Sequence, residues 1–463
     1  MKKLFCYCLL LAAFTLNTSL MAAQQTPPNV LIFFIDDLGW TDIGINGSSF
    51  HETPNIDALA VSGVNFKHSY SANPVCSPTR AALMTGKAPQ RVGITQWISP
   101  KETTHLPLSE ETIGEAFQNA GYYTGYIGKW HLGKTDNVQP QYQGFEYTKA
   151  VNRAGQPASF FYPFGKDNRP SNVPDLENYK NGDYLTDALT DKAIEFIDNQ
   201  SERPFFLTLA HYAVHTPIQA PQSLIEKYTA KKRAIYGDKK PALIEEKYHT
   251  LAQTQQSDPA YAGMMENLDT NVGRVITHLK NKGLYKNTII VFTSDNGGLA
   301  HRKRMDTPTS NAPLRSGKAW TYEGGIRIPT IIAWQDKIQP FTSNNPIITM
   351  DMYPTLLDLA GLPLKPKQHL DGKSLKPLLE GKIHSDEDRV LAWTYPHVHG
   401  SGHQPSDAIL SKEWKLIRFQ SDEPTELYNL LSDIGEQTNV AKLYPNKVKE
   451  LEAQLDQWLN KTH

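Results

Sequence analysis

Four short apolar runs that each stop abruptly at a polar cluster constrain this chain more than any other feature. Val30-Leu31-Ile32-Phe33-Phe34-Ile35 meets Asp36-Asp37, and residues 123–127 meet Gly128-Lys129-Trp130-His131. Phe205–Ala210 leads to His211 and His215, and residues 288–293 lead to Ser294-Asp295-Asn296-Gly297-Gly298. A strand apolar at every position, rather than at every second one, is buried on both faces, as in a mostly parallel sheet covered by helices. Helical patterns lie between the runs. Ser109 is placed to cap a helix with Glu110 and Glu111 in its first turn and a stop at Gly121. Residues 183–199 and 261–282 carry apolar positions at helical spacing; in the second, Met265, Leu268, Val272, Val275, Ile276 and Leu279 make one core-facing stripe. Strands alternating with helices predict an α/β fold with a large, mixed, mostly parallel sheet sandwiched by helices. In such folds ligands bind beyond the carboxyl ends of the strands, where all four polar clusters fall.

From about Pro363 the texture shifts to short strands at 390–394, Trp414–Phe419 and Glu426–Asn429, then an amphipathic helix over 447–459. This predicts a smaller α+β domain, with a catalytic domain over 24–362 and the second over 363–463. The lysine-rich stretch 231–247 reads as a solvated loop or helix face. At the other end, Lys2 and Lys3 precede an apolar run over 4–14 and small residues near Ala23, the pattern of a secretory signal over 1–23. That run is short of the ~20 residues a bilayer span needs, and no other window reaches that length, so an exported chain, periplasmic or secreted, without a stable membrane span is expected. Lys and Arg total 47 against 48 Asp and Glu, a balance that argues against a nucleic-acid partner. Loss of the signal removes Cys6 and Cys8 and leaves Cys76 as a single thiol, either a small buried hydrophobe or a chemically used group.

The neighbours of Cys76 favour use. Cys76-Ser77-Pro78-Thr79-Arg80 opens a short helix that Gly86 closes, which places Cys76 at the positive end of the helix. Cys-x-Pro-x-Arg with Thr85-Gly86, the Asp36-Asp37 pair, Gly128-Lys129-Trp130-His131-Leu132-Gly133, His215-Thr216-Pro217 and Ser294-Asp295-Asn296-Gly297-Gly298 together resemble the type I sulfatase family. Leu314-Arg315-Ser316-Gly317-Lys318 and the segment Tyr322 to Pro329 are also similar to it, and Thr79 stands at a position the family varies. The resemblance spans about residues 28–360 and implies an alkaline phosphatase-like fold.

It further implies that a maturation enzyme oxidises Cys76 to formylglycine (3-oxoalanine), whose hydrate attacks sulfur and later expels sulfate by collapsing to the aldehyde. Asp36, Asp37, Asp295 and Asn296, with modified Cys76, match the family's metal ligands. Oxygen donors of this kind suit Ca²⁺, with Mg²⁺ the lesser choice, and disfavour zinc. Carried over position by position, Arg80 holds the hydrate, Lys129 and Lys318 grip sulfate, His131 takes the hydrate's second proton, His215 protonates the leaving alcohol with Lys318, and Asp295 activates the hydrate. His211 matches no catalytic role and reads as structural or peripheral; Trp130 and Trp320 read as pocket wall or core.

The loop carrying His397, His399, His403 and Gln404 is rich in His and Gly and is placed to read sugar hydroxyls at the pocket rim. The expected activity is exo-acting hydrolysis of a sulfate ester on a galactose-type or amino sugar. Two alternatives stay open: an arylsulfatase or a phosphate or phosphonate ester hydrolase on the same fold, and a non-enzymatic calcium-dependent glycan-binding scaffold. The Asp295-Asn296 pair, where two-zinc phosphatases carry Asp-His, weighs against the phosphatase.

Overall fold

The computed structural model describes residues 26–462 apart from 100, 153, 166–170, 201, 303–306, 383–385 and 387. The segment 1–23 that the sequence suggests as a secretory signal, with Cys6 and Cys8, lies outside the described residues. Eight strands form the main sheet: β1 (Asn29–Ile35), β2 (Val64–Phe66), β3 (Tyr123–Gly128), β4 (Tyr147–Lys149), β5 (Phe205–Ala210), β6 (Thr288–Ser294), β7 (Thr330–Ala333) and β8 (Phe341–Ser343), in the spatial order β8-β2-β7-β6-β1-β5-β3-β4. The five strands from β6 to β4 run parallel, and β7 is antiparallel to both of its neighbours.

Alternation explains why β1 is apolar throughout. Leu31, Phe33 and Ile35 enter one core with the helices Leu185–Asn199 and Pro259–Asn281, while Val30, Ile32 and Phe34 enter the opposite core with Cys76–Thr85 and Ile113–Asn119. Full burial of each such side chain stabilises the fold by roughly 1.5–3 kcal/mol, so a polar residue anywhere along the strand is costly. Register then fixes the site: Ile35 pairs with Ser294, Phe34 with Ala210, and Ala210 with Gly128. The polar residues that follow these ends therefore emerge along one edge.

Two local expectations need correction. The helix after Leu108 begins at Ile113, because Thr112 rather than Ser109 makes the reciprocal cap: its Oγ1 accepts from the Glu115 amide at 3.1 Å, and Glu115 accepts from the Thr112 amide at 2.8 Å. Glu110 instead meets Lys87 at 2.6 Å. The lysine-rich stretch is helical only to Tyr236; Leu243–Glu246 then pairs with Thr250–Gln253 as an antiparallel ribbon.

The C-terminal part is a four-stranded antiparallel sheet of β9 (Val390–Tyr395), β10 (Ser406–Ser411), β11 (Trp414–Phe419) and β12 (Glu426–Asn429), backed by the helix Pro445–Thr462. Strand β10 escaped the sequence pattern although it pairs on both sides. One face of this sheet shares a core with earlier parts of the chain, joining Leu391, Trp393, Ile417 and Phe419 to Tyr70, Trp320 and Tyr322. Beside it lies a buried charge cluster: Lys415 Nζ contacts Glu323 and Glu436 at 2.9 Å each, with all three side chains fully enclosed. Burial outweighs Lys415 and lifts the Glu436 carboxyl to about 7. Lys415→Met is expected to lower stability by about 3–5 kcal/mol in urea unfolding, because it takes the cation from the buried Glu436 carboxyl and leaves Glu323 its ion pair with Arg327. An unchanged midpoint would show that the cluster contributes nothing to docking the second sheet.

Candidate active site

Backbone bonds lock the four strand-end clusters to one another. The Asp36 amide donates to Ala213 O at 3.0 Å, the Lys129 amide to Ala210 O at 2.8 Å, and the Asp295 amide to Ile35 O at 3.1 Å. The Gly297 amide donates to Gly325 O at 2.9 Å, and a Cβ on Gly297 would stand 1.9 Å from Gly324 O, so the second Gly-Gly segment presses on the first. Asp37 and His131 adopt left-handed backbone, with φ of 59° and 56°. That conformation is uncommon for residues with a side chain and collects at functional positions.

The side chains converge. Arg80 Nε donates to Asp295 Oδ2 at 2.9 Å and its Nη1 to Lys129 O at 2.8 Å. Lys129 Nζ donates to Asp36 Oδ2 at 2.7 Å, and Lys318 Nζ reaches Asp37 Oδ1 at 2.7 Å and Oδ2 at 2.9 Å. The Asp37 amide donates to Asp295 Oδ1 at 3.1 Å, and Asn296 Nδ2 donates to Asp37 Oδ1 at 2.8 Å. His215 Nε2 lies 3.5 Å from Asp37 Oδ2. Cys76 begins its helix, buried, with Sγ 3.1 Å from His131 Nδ1. Eight of the ten residues the sequence nominated for catalysis or metal binding fall in one contact network, and Cys76 and His131 form a pair beside it in sequence, Cys76 opening the helix that carries Arg80 and His131 standing two residues after Lys129.

The hydrogen-bond partners define the imidazoles. His131 Nε2 lies 2.9 Å from Ile98 O; a carbonyl only accepts, so Nε2 carries the proton and Nδ1 turns its lone pair to residue 76. Ile98 is itself held by its amide on Ser77 Oγ at 3.0 Å. By the same logic His215 donates from Nδ1 to Thr216 O at 2.9 Å, leaving Nε2 toward Asp37. Burial, aided by Lys318, holds the His215 imidazole down to about 3, and burial with Lys129 keeps His131 neutral.

The carboxylates divide. Burial raises Asp37 and Asp295, but Lys318 and His215 overcome it for the first and Arg80 and Lys129 for the second, and both end below the ordinary range. For Asp36 burial prevails over Lys129, and its carboxyl stays well above that range. Asp36 Oδ1 and Asn296 Oδ1 are buried without a hydrogen-bond partner among the described residues. Two uncompensated oxygens beside three carboxylates are what a hard cation satisfies. Asp36, Asp37 and His215 also offer ligand atoms within 4.8 Å of one another, so a nitrogen borders the same space. The residues fit a metal ion.

Other positions sort differently. His211 is sealed in the interior, and neither ring nitrogen has a hydrogen-bond partner among the described residues. Trp130 and Trp320 are fully buried core. Of the rim candidates, His397 is half-buried with Nε2 3.0 Å from Thr95 Oγ1, and His399 Nδ1 lies 3.1 Å from Ser401 Oγ. His403 is buried between the rings of Trp320 and Tyr395, and Gln404 lines a cavity with Tyr248 and Glu423. Sequence reasoning missed Ser77, Ile98 and Asn311. Asn311 Nδ2 lies 3.0 Å from the carbonyls of Gly298, Ser316 and Gly324 and so ties the Asp295 loop to the Lys318 loop.

The fold, an α/β sheet with acidic and cationic groups along its strand ends, is shared with sulfatases of alkaline phosphatase-like fold. The family model described as Sulfatase matches residues 28–362, and one described as N-sulphoglucosamine sulphohydrolase, C-terminal, matches residues 316–463. A sulfatase of Formosa agariphila is 31% identical, over 93% of this chain and 89% of its own. The N-acetylgalactosamine-6-sulfatase of Mus musculus is 34% identical, over 79% of this chain and 68% of its own. The crystal structure of Ps i-CgsB in complex with k-i-k-neocarrahexaose superposes with a TM-score of 0.77 at 31% identity, covering 94% of this chain and 93% of that one. The chain belongs to the sulfatase family and is a sulfuric ester hydrolase. No helix among the described residues is long and apolar enough to cross a membrane.

Proposed function

We propose that the chain is an exported, calcium-dependent carbohydrate sulfatase. It removes sulfate from a galactose-type or amino sugar by exo action, using formylglycine made from Cys76. The observation that carries this reading is the arrangement around residue 76: a buried sulfur facing a basic imidazole nitrogen, with Arg80, Lys129 and Lys318 on the adjoining carboxylates. The sugar assignment is supported by the names of similar proteins, an N-acetylgalactosamine-6-sulfatase and a structure bound to a neocarrahexaose. Export rests on the lysine-led apolar segment at residues 1–23. The division into a catalytic domain over 24–362 and a second domain over 363–463 belongs to the same reading.

Asp36, Asp37, Asp295 and Asn296 would hold the cation, which with formylglycine at 76 supplies a hydrated aldehyde nucleophile next to fixed positive charge. The protein's own groups do the rest. Three carboxylates balance three cations here, so a divalent ion leaves the pocket two positive charges in excess before an anionic ester enters. Lys129 and Lys318 are the ammonium groups available to sulfate oxygens once Asp36 and Asp37 have another partner, and charge fixed in advance in a buried site stabilises an anionic transition state. Arg80 bridges Asp295 and the Lys129 carbonyl, which orients it toward residue 76. Asp295 stands as the base that activates the nucleophile, and His131 Nδ1 is free to take a proton from the oxygen on residue 76. His215 Nε2 receives a proton from Lys318, which shares Asp37 Oδ2 with it, and passes that proton to the departing alcohol.

The test combines peptide mass analysis of residue 76 in active protein with turnover of defined sulfated monosaccharides and oligosaccharides. The expected result is an aldehyde at residue 76 and release of sulfate from the terminal sugar. An unmodified thiol in fully active protein contradicts the nucleophile, and activity confined to aryl sulfates contradicts the sugar.

A further inference from the structure

The second domain sends one side chain to the reacting centre. Tyr395, the last residue of β9, is fully buried, yet its hydroxyl has no hydrogen-bond partner among the described residues. Its ring packs against Val75 and Ala319, the residues immediately before Cys76 and immediately after Lys318, with Trp97 alongside. Two imidazoles set the ring's position: His397 edge-on at 5.4 Å and His403 at 5.2 Å between centroids. The Cys76 sulfur and the Lys318 ammonium both act electrostatically on the hydroxyl, which burial pushes far up. An enclosed O–H without an acceptor costs stability, roughly 1–3 kcal/mol, unless a ligand supplies one.

We infer that Tyr395 is a substrate-contacting residue whose hydroxyl donates a hydrogen bond to an oxygen of the sulfate group bound at residue 76. The inference rests on the sulfatase site proposed above and adds to it a donor from the second domain. It also assigns His403 and His397 the part of bracing that donor. A neutral phenol is suited to this position: it adds a directed donor without another charge in a pocket already rich in cations.

Tyr395→Phe tests it, since the ring stays and only the oxygen goes. In the variant, KM for a sulfated sugar and the inhibition constant of inorganic sulfate both rise about tenfold or more, as expected for a lost bond to a charged acceptor, while kcat changes little. The unfolding temperature stays level or rises, because an unpartnered buried hydroxyl has been removed. Unchanged KM and sulfate inhibition would overturn the inference, as would a lower unfolding temperature with sulfate affinity intact, which marks a purely structural hydroxyl. Titration calorimetry with inorganic sulfate compares the two proteins without turnover. Absence of sulfate-ester hydrolysis by the wild type would therefore count against the proposed function, while the anion affinities still judge Tyr395.

Discussion

Cys76→Ala is expected to abolish sulfate release while leaving the fold intact. The side chain is small, and alanine is the better helix former at the start of Cys76–Thr85, so little packing is lost beyond the contact to His131 Nδ1. The chemistry has no substitute, because the remaining groups position and charge the pocket without offering an attacking atom held for sulfur. Removing a nucleophile from a set that acts as a unit costs on the order of 10⁶ in kcat. Assay of sulfate release beside thermal unfolding separates the two effects. Residual turnover within about tenfold of wild type would rule out a covalent route through residue 76.

Asp295→Asn has the second largest expected effect, and it reaches both the ion and the arginine. The amide retains an oxygen for the Asp37 N–H but removes the charge that faces Arg80 Nε at 2.9 Å and Nη2 at 2.7 Å. Stranding a buried guanidinium lowers stability by about 3–5 kcal/mol. The cation site loses one of its three negative charges. Wild-type protein at a calcium concentration of about 100 times Kd is expected to gain roughly 2.7 kcal/mol, seen as a raised unfolding temperature, and the variant to gain little. Turnover falls by about 10²–10³-fold or more as the electrostatic arrangement is lost. A variant that keeps its calcium-dependent stabilisation would remove Asp295 from the ligand set.

Much of this was legible in the sequence because it was written locally. A six-residue apolar run followed by acids specifies a strand and what stands at its end, and parallel register then aligns Ile35, Gly128, Ala210 and Ser294 without further instruction. The helix after Val75 announced itself by Pro78 and Gly86. What was hidden depends on contacts distant in the chain. Strand β10 begins and ends in serine and is recognisable only by its pairing with β9 and β11. Ser77, Ile98 and Asn311 act by gripping backbone, which leaves no signature in residue type. Thr112 competed with Ser109 for the same cap, and the choice is made by where Glu115 falls in the first turn. The His-rich loop was found by composition, but composition could not say that His403 turns inward against Trp320 while His397 stays half-exposed.

If Cys76 is modified as proposed, its enclosure sets an order of events in the life of the protein. Cys76 is 3% exposed, with His131 against its sulfur and the Tyr395 ring packed on the preceding residue, Val75. Docking of the β9 sheet, through Tyr395, places a cover on the segment that leads to it. On the proposed route through formylglycine, oxidation of residue 76 falls before the last hundred residues close over it, and a folded molecule that missed that moment must open again before it can be modified.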